Sequence, residues 1–272
     1  MPKAALKGGL RPFERILKTM QTQGNTTPPE KRKGLWLDLG IMPYKPAFEV
    51  QTALYAERME GDLPTIVIVQ ENNPVFTIGR TGSRSNILLT EAELHKLGIE
   101  VIDVNRGGDV TFHTTGQIIV SPLVYLGDID RNANQYFHQL EDVQISVLDR
   151  YGIKSHKKEG YPGAWCGEEK IGAVGIAVRH GYTCHGFSLN VNPDLYPFSL
   201  INPCGVSRMP VTSMKKMLGR DIPGQEVRET IREIIGDLLG FDFRTITLPH
   251  ALDMLKNQDL SVPAQGFQKI ES

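Results

Sequence analysis

Strand-like runs follow one another in groups in this 272-residue chain, and helix-like stretches fall between the groups rather than after every strand. A doubly wound sheet needs regular alternation of the two. This order predicts instead an α+β fold, a mixed or antiparallel sheet with flanking helices. Residues 35–39 read as a strand, and 48–59 as a helix with Val50, Ala53, Leu54 and Met59 on one face. Strands follow at 65–69 and 74–78. Thr90-Glu91-Ala92-Glu93 is a capping box opening a short helix that Gly98 stops. After a strand at 99–104, residues 109–113 and 117–126 read as a hairpin. The longest helix, 132–151, carries Tyr136, Leu140, Val143, Val147 and Tyr151 on one face, with Gly152 as its stop. Strands at 170–178 and 182–191 join at Arg179-His180-Gly181, and a helix at 226–239 is apolar at Val227, Ile231, Ile234 and Leu238.

Hydrophobic residues make up 40% of the chain and charged ones 22%, as in globular domains, and the length allows a full core. A net charge of -1 argues against a nucleic-acid partner, and no apolar run approaches the length of a membrane span. Residues 1–34 differ: eight lysines and arginines face only Glu14 and Glu30, and Pro28-Pro29 breaks the stretch. They read as a disordered basic extension. A mitochondrial or plastid transit peptide is the second reading, against which lysines outnumber arginines and serine is absent. The expected catalytic domain is 35–247, with a C-terminal tail at 248–272.

Three cysteines without a C-x-x-C pair give neither a disulfide framework nor a zinc site, and reduced thiols place the chain in the cytoplasm. Cys166 follows Trp165 in an apolar context, and Cys184 neighbours His185, whose side chain points to the other face of a strand. Both read as small buried hydrophobes. Cys204 differs, because Pro203 and Gly205 hold it on a rigid, uncluttered loop. A nearby ammonium, for which Lys170 is the candidate, would favour the thiolate that attacks carbonyls. The paired glycines of Arg106-Gly107-Gly108 let the backbone pass close to a ligand. No lysine follows at the spacing of a phosphate-binding loop, so no nucleotide cradle is indicated.

Taken together, several segments resemble the lipoyl(octanoyl) transferases. These are Arg106-Gly107-Gly108 through Thr111-Phe112-His113, Gly116-Gln117, Gly163-Ala164-Trp165, Lys170-Ile171 leading to Val174-Gly175, His185 to Asn190, and Pro203-Cys204-Gly205. The resemblance covers roughly 35–239 and implies a fold related to biotin and lipoate protein ligases, the class II synthetase-like fold. It also implies Cys204 as nucleophile and Lys170 as its partner. The acyl-binding wall would be Arg106, Gly107, Gly108, Asp109, Val110, Thr111, Phe112 and His113, then Ala173, Val174 and Gly175, then Gly186, Phe187 and Ser188. The implied reaction moves an octanoyl group from octanoyl-acyl carrier protein to a lysine of a lipoyl domain, the first step of endogenous protein lipoylation. Acceptors would be the E2 subunits of 2-oxoacid dehydrogenases and the glycine cleavage H protein. Neither metal nor cofactor is implied. An ATP-dependent lipoate or biotin ligase and a non-catalytic carrier-protein-binding homologue are the competing readings. Two segments depart from the family pattern. His113-Thr114-Thr115-Gly116-Gln117 stands where His-Gly-Pro-Gly-Gln is usual, and Asn72 stands where a histidine is usual. Both departures are expected near the acyl site.

Overall fold

The computed structural model describes residues 30–60, 63–203 and 209–256. The chain opens with strand β1 (Arg32–Met42), helix α1 (Tyr44–Glu60), β2 (Ile66–Asn72) and β3 (Val75–Ile78). A short helix α2 (Glu91–Leu97) leads to β4 (Glu100–Asp103), β5 (Val110–His113), β6 (Gln117–Leu123) and the long helix α3 (Ala133–Arg150). Three short strands, β7 (His156–Lys157), β8 (Ala164–Cys166) and β9 (Glu169–Lys170), precede the hairpin β10 (Gly172–Arg179) and β11 (Tyr182–Asn190). Helices α4 (Met214–Leu218) and α5 (Gly224–Leu239), strand β12 (Phe241–Ile246) and helix α6 (Leu248–Lys256) complete it.

Six strands form the main sheet in the order β10-β11-β6-β2-β1-β12. β1 runs parallel to β2 and β12, while β6 is antiparallel to β2 and β11, so the sheet is mixed, as the element order predicts. The period of two explains how it is covered. Trp36, Val67, Val69 and Val120 face α3 and α5, and Leu35, Leu37, Ile66 and Ile68 face a second cluster under α1 and α6. Strand β2 is therefore buried on both faces, which accounts for its unbroken apolar run. The smaller sheet β4-β3-β5 has its own cluster, built on Phe76, Ile78, Leu94 and Phe112.

Local signals are realised closely. Thr90 accepts from the Glu93 N–H while Glu93 accepts from the Thr90 N–H, and Gly98 closes the helix in the left-handed conformation. Asn132 and Gln135 form a second capping box at α3. Arg179 pairs with Tyr182 across a two-residue turn in which His180 and Gly181 both have positive φ, as a twisted hairpin requires.

One expectation is corrected. Strands β5 and β6 do not form a hairpin: β5 pairs with β3 in the small sheet, and β6 pairs with β2 and β11 in the large one. The crossing is made at Gly116, with φ of 87°, whose N–H donates to Glu71 Oε2 at 2.7 Å and whose carbonyl accepts from Val191 and Asn192. Glu71 is held in turn by Arg228 at 2.7 Å, which also reaches Asp38 at 3.3 Å. Helix α1 buries Tyr44, Ala47, Gln51, Leu54, Tyr55, Glu57 and Arg58, and Val50 and Met59 pack against the second cluster beside Leu54, as their spacing predicts. β1 starts at Arg32, and α6 packs Leu248, Ala251, Met254 and Leu255 on the second cluster because its apolar spacing continues the core.

Gly163 carries a prediction. Its φ is 121°, a region that disfavours side chains, and an added Cβ would stand 2.1 Å from the Gly172 carbonyl oxygen. Gly163→Ala is expected to cost about 3 kcal/mol, and to lower Tm by about 6–12 °C on the scaling for chains of this size. A melt within about a degree of the parent would contradict the packing described around β8 and β10.

Candidate active site

Lys170 is half-buried at the end of β9 and is fixed from both sides. It pairs with Trp165 across β8, its N–H donates to the Pro210 carbonyl, and its carbonyl accepts from Thr212. Its Nζ lies 5.7 Å from the Trp165 ring centroid, and the Lys158 Nζ lies 4.6 Å from the same ring. The cleft beside Lys170 is lined by Pro162, Val174, Phe198, Ile201, Pro203, Met209 and Val211. Pro203 and Met209 flank 204–208, so Cys204 lies outside the described residues.

The Arg106-Gly107-Gly108 turn forms the opposite wall. Gly107 donates to the Ile176 carbonyl and so rests on β10. The Arg106 guanidinium is buried and donates to the Thr77 carbonyl at 2.8 Å and the Thr77 hydroxyl at 2.9 Å. Asp109 accepts from the Ser83 N–H and from Asn86 Nδ2 at 2.6 Å, which fastens the preceding loop. Arg106, Thr111, Ala173, Val174 and Ser188 line both this cleft and a second compartment, so the two adjoin.

The second compartment lies under α1. Tyr44, Phe48 and the imidazoles of His113 and His185 form a run of stacked rings: Tyr44 on His113 at 5.8 Å, Tyr44 on Phe48 at 5.9 Å, and Phe48 on His185 at 5.5 Å. Its remaining lining includes Gln51, Gln70, Ser121, Gly175, Gly186 and Phe187. Burial, opposed by the Gln117 hydrogen bond and aided by the Arg106 charge, pushes His113 down to about 4. Burial, then Arg106 and His113, pushes His185 down to about 3. Both rings are neutral near pH 7. His185 also has φ of 59°, a strained conformation for a side-chain-bearing residue and one that concentrates at functional sites.

The two adjoining compartments together offer one lysine, a buried guanidinium and a largely apolar lining. The sequence model described as the lipoyl protein ligase A/B catalytic domain matches residues 43–236. The octanoyltransferase of Thermoanaerobacter pseudethanolicus is 41% identical over 219 residues, which is 80% of this chain and 95% of that one. The octanoyltransferase of Caldicellulosiruptor bescii is 37% identical over 220 residues, 80% and 96% of the two chains. The chain belongs to the octanoyltransferase family. It is an acyltransferase by that membership. Among solved structures, a bi-partite lipoate protein ligase of Thermoplasma acidophilum superposes with a TM-score of 0.68 at 19% identity, covering 83% of this chain and 91% of that one. P. falciparum LipL1 in complex with lipoate gives 0.58 at 12%, over 82% and 71%. These two likenesses show the shared fold.

Of the residues singled out in the sequence for the acyl wall, all but Phe112 line one or other of these two compartments. Strand alternation turns Thr111 and His113 inward and sends Phe112 into the small-sheet core, against Phe76 at 5.1 Å and Phe198 at 5.3 Å. The two departures adjoin the cavity without lining it, Thr114 following His113 and Asn72 meeting Gln70. Neither Asn72, Thr114 nor Thr115 lines either compartment. Asn72 is buried and acts on the cavity through Gln70, which donates to it at 3.2 Å. The sequence reading missed Tyr44, Phe48, Gln51, Gln70 and Ser121. A glutamine inside the apolar run of β2 was the available signal. Among the described residues, no cluster of three His, Cys, Asp or Glu could hold a metal, and no helix is long and apolar enough to cross a membrane.

The two imidazoles set a pH dependence. In an unfolded chain each charges near pH 6.5, whereas in the folded protein each stays neutral to about pH 4 or below. The unfolded state therefore binds more protons in that interval, and stability falls as pH drops from about 6.5 towards 4. Urea midpoints across pH 4–7 are expected to decline with falling pH, and His113→Gln to decline less steeply. Equal slopes in parent and variant would refute the neutral assignment of His113.

Proposed function

We propose that this chain moves an octanoyl group from acyl carrier protein to a lysine of a lipoyl domain through a thioester on Cys204. Pro203 and Met209, which flank the Cys204 segment in the sequence, line the same cleft as Lys170, and this observation carries the reading. The Cys204 thiolate would attack the thioester carbonyl, and the carrier's thiolate would leave and take up a proton. The acyl-enzyme is itself a thioester, so this half-reaction is nearly balanced in energy. The acceptor amine then attacks the same carbonyl, an amide C–N bond forms, the Cys204 thiolate leaves, and the amine's extra proton passes to a base. Lys170 as an ammonium would favour the Cys204 thiolate, and as a neutral amine it would take that proton. The wall from Arg106 to His113, less Phe112, with Ala173–Gly175 and Gly186–Ser188, would hold the acyl chain.

Thioester to amide runs downhill, so no nucleotide is needed. E2 subunits of 2-oxoacid dehydrogenases and the glycine cleavage H protein fit as acceptors. Residues 32–256 would act as one catalytic unit, with the buried, unpaired Cys166 and Cys184 suiting the reducing cytoplasm. The test is transfer to a purified apo lipoyl domain from octanoyl-acyl carrier protein without nucleotide. Amide on the acceptor lysine is expected. Product appearing only with free octanoate and ATP would favour a ligase instead.

A further inference from the structure

Asn190 ends strand β11 beside Lys170 and is held there from two sides. Its N–H donates to the Ile171 carbonyl at 2.9 Å. Thr212 links it to Lys170: the Thr212 N–H donates to the Lys170 carbonyl at 2.9 Å, and the Thr212 carbonyl accepts from Asn190 Nδ2 at 3.0 Å. Asn190 is only 4% exposed, yet it lines the same cleft as Lys170, Pro203 and Met209.

A carbonyl can only accept, so the contact with Thr212 fixes which end of the Asn190 amide is nitrogen. The other end agrees, since Asn190 Oδ1 accepts from Gln117 Nε2 at 2.9 Å. The second hydrogen of Gln117 Nε2 goes to the Phe112 carbonyl at 3.2 Å, and Gln117 Oε1 lies 2.7 Å from His113 Nδ1. Gln117 therefore has no amide hydrogen to spare. An asparagine amide carries two hydrogens, and Thr212 takes one of them. The second N–H of Asn190 has no acceptor among the described residues, while the amide that carries it is locked at both ends. Thr111 and Ser188, on the same lining, have hydroxyls that no hydrogen bond among the described residues fixes, so they offer no set direction.

We propose that Asn190 is a further catalytic residue, whose second Nδ2–H donates to the acyl oxygen as negative charge develops on it. The inference rests on the acyl-transfer reading and concerns only what stabilises its transition states. When the Cys204 sulfur bonds to the thioester carbonyl carbon, the π pair moves onto oxygen. When the bond from that carbon to the carrier's sulfur breaks, the pair returns and the carrier thiolate leaves. The same oxygen is charged again as the acceptor amine attacks the acyl-enzyme. Asn190 neither gains nor loses a proton in either step. A donor fixed in advance needs no reorganisation as the charge appears, and removing one such donor typically costs about a hundredfold or more in kcat.

Asn190→Ala removes the donor, and two rates separate catalysis from structure. One is single-turnover acylation by octanoyl-acyl carrier protein. The other is alkylation of Cys204 by iodoacetamide, a displacement at a saturated carbon that develops no oxyanion. Acylation and onward transfer to apo lipoyl domain are each expected to slow by about a hundredfold. The rate and pH profile of alkylation are expected to match the parent, because the nucleophile is untouched. If Asn190→Ala melts below the parent, Asn190→Ser, which keeps a polar group at the position, is measured in the same way and is expected to show the same split. Acylation unmoved in a folded variant overturns the proposal and leaves the oxyanion to main-chain donors. Acylation and alkylation falling together also overturn it, since Asn190 would then only shape the cleft. Either result in a parent that transfers octanoyl refutes this inference alone, whereas a parent that transfers no acyl group refutes the proposed function and this inference with it.

Discussion

Cys204→Ser is expected to abolish acyl transfer, with kcat falling by at least about a thousandfold, because a hydroxyl without a strong base is a far weaker nucleophile than a thiolate. The other two cysteines cannot substitute for it. Burial and the charge of Glu169 push Cys166 up to about 11, and burial pushes Cys184 up to about 12, where Gln51 Nε2 caps its sulfur at 3.1 Å. At neutral pH both are thiols, and buried thiols are inert. Cys166→Ala and Cys184→Ala should therefore keep most of the activity, losing on the order of 1 kcal/mol of stability at the emptied core positions. A stable octanoyl adduct on Cys166 or Cys184 in an active enzyme would contradict this division of roles.

Lys170 is the second site where a single change should have a large effect, and its substitutions separate two duties. An unperturbed thiol has a pKa of about 8.5, so only a few per cent is thiolate at neutral pH. A cation within about 4–6 Å favours the charged form, each unit of lowering being worth about 1.4 kcal/mol. Lys170→Ala should raise the pH at which Cys204 reacts with iodoacetamide and slow both half-reactions by at least about a hundredfold, the usual scale for a lost acid–base group. Lys170→Arg keeps the charge but makes a poor base, so acyl-enzyme should form and then persist. Single-turnover kinetics resolve the two steps. An unchanged alkylation profile and unchanged transfer in Lys170→Ala would reduce Lys170 to a strand residue resting on Trp165.

Much of this architecture is legible where the signal is local. The capping box at Thr90 and Glu93, the Gly98 stop and the His180-Gly181 turn each depend on residues within a few positions. The supposed β5–β6 hairpin fails because strand pairing is settled at long range. Gly116 is tied to Glu71 and Asn192, which no local pattern announces. Strands β7, β8 and β9 have two or three residues each, too short for a period to show. The parallel pairing of β12 with β1 brings together positions about two hundred residues apart. At the cavity, the motif segments are contiguous and readable. Gln51 and Gln70 are not, since a polar side chain on a buried face makes sense only once Asn72 and Cys184 are seen beside them.

Intact mass and peptide mapping of the protein mixed with octanoyl-acyl carrier protein, without nucleotide and sampled before and after apo lipoyl domain is added, test the acyl-enzyme most directly. The expected result is one octanoyl group on the peptide containing Cys204, formed before any product and discharged as the amide appears. Amide formed at full rate with no adduct at Cys204 at any time would contradict it.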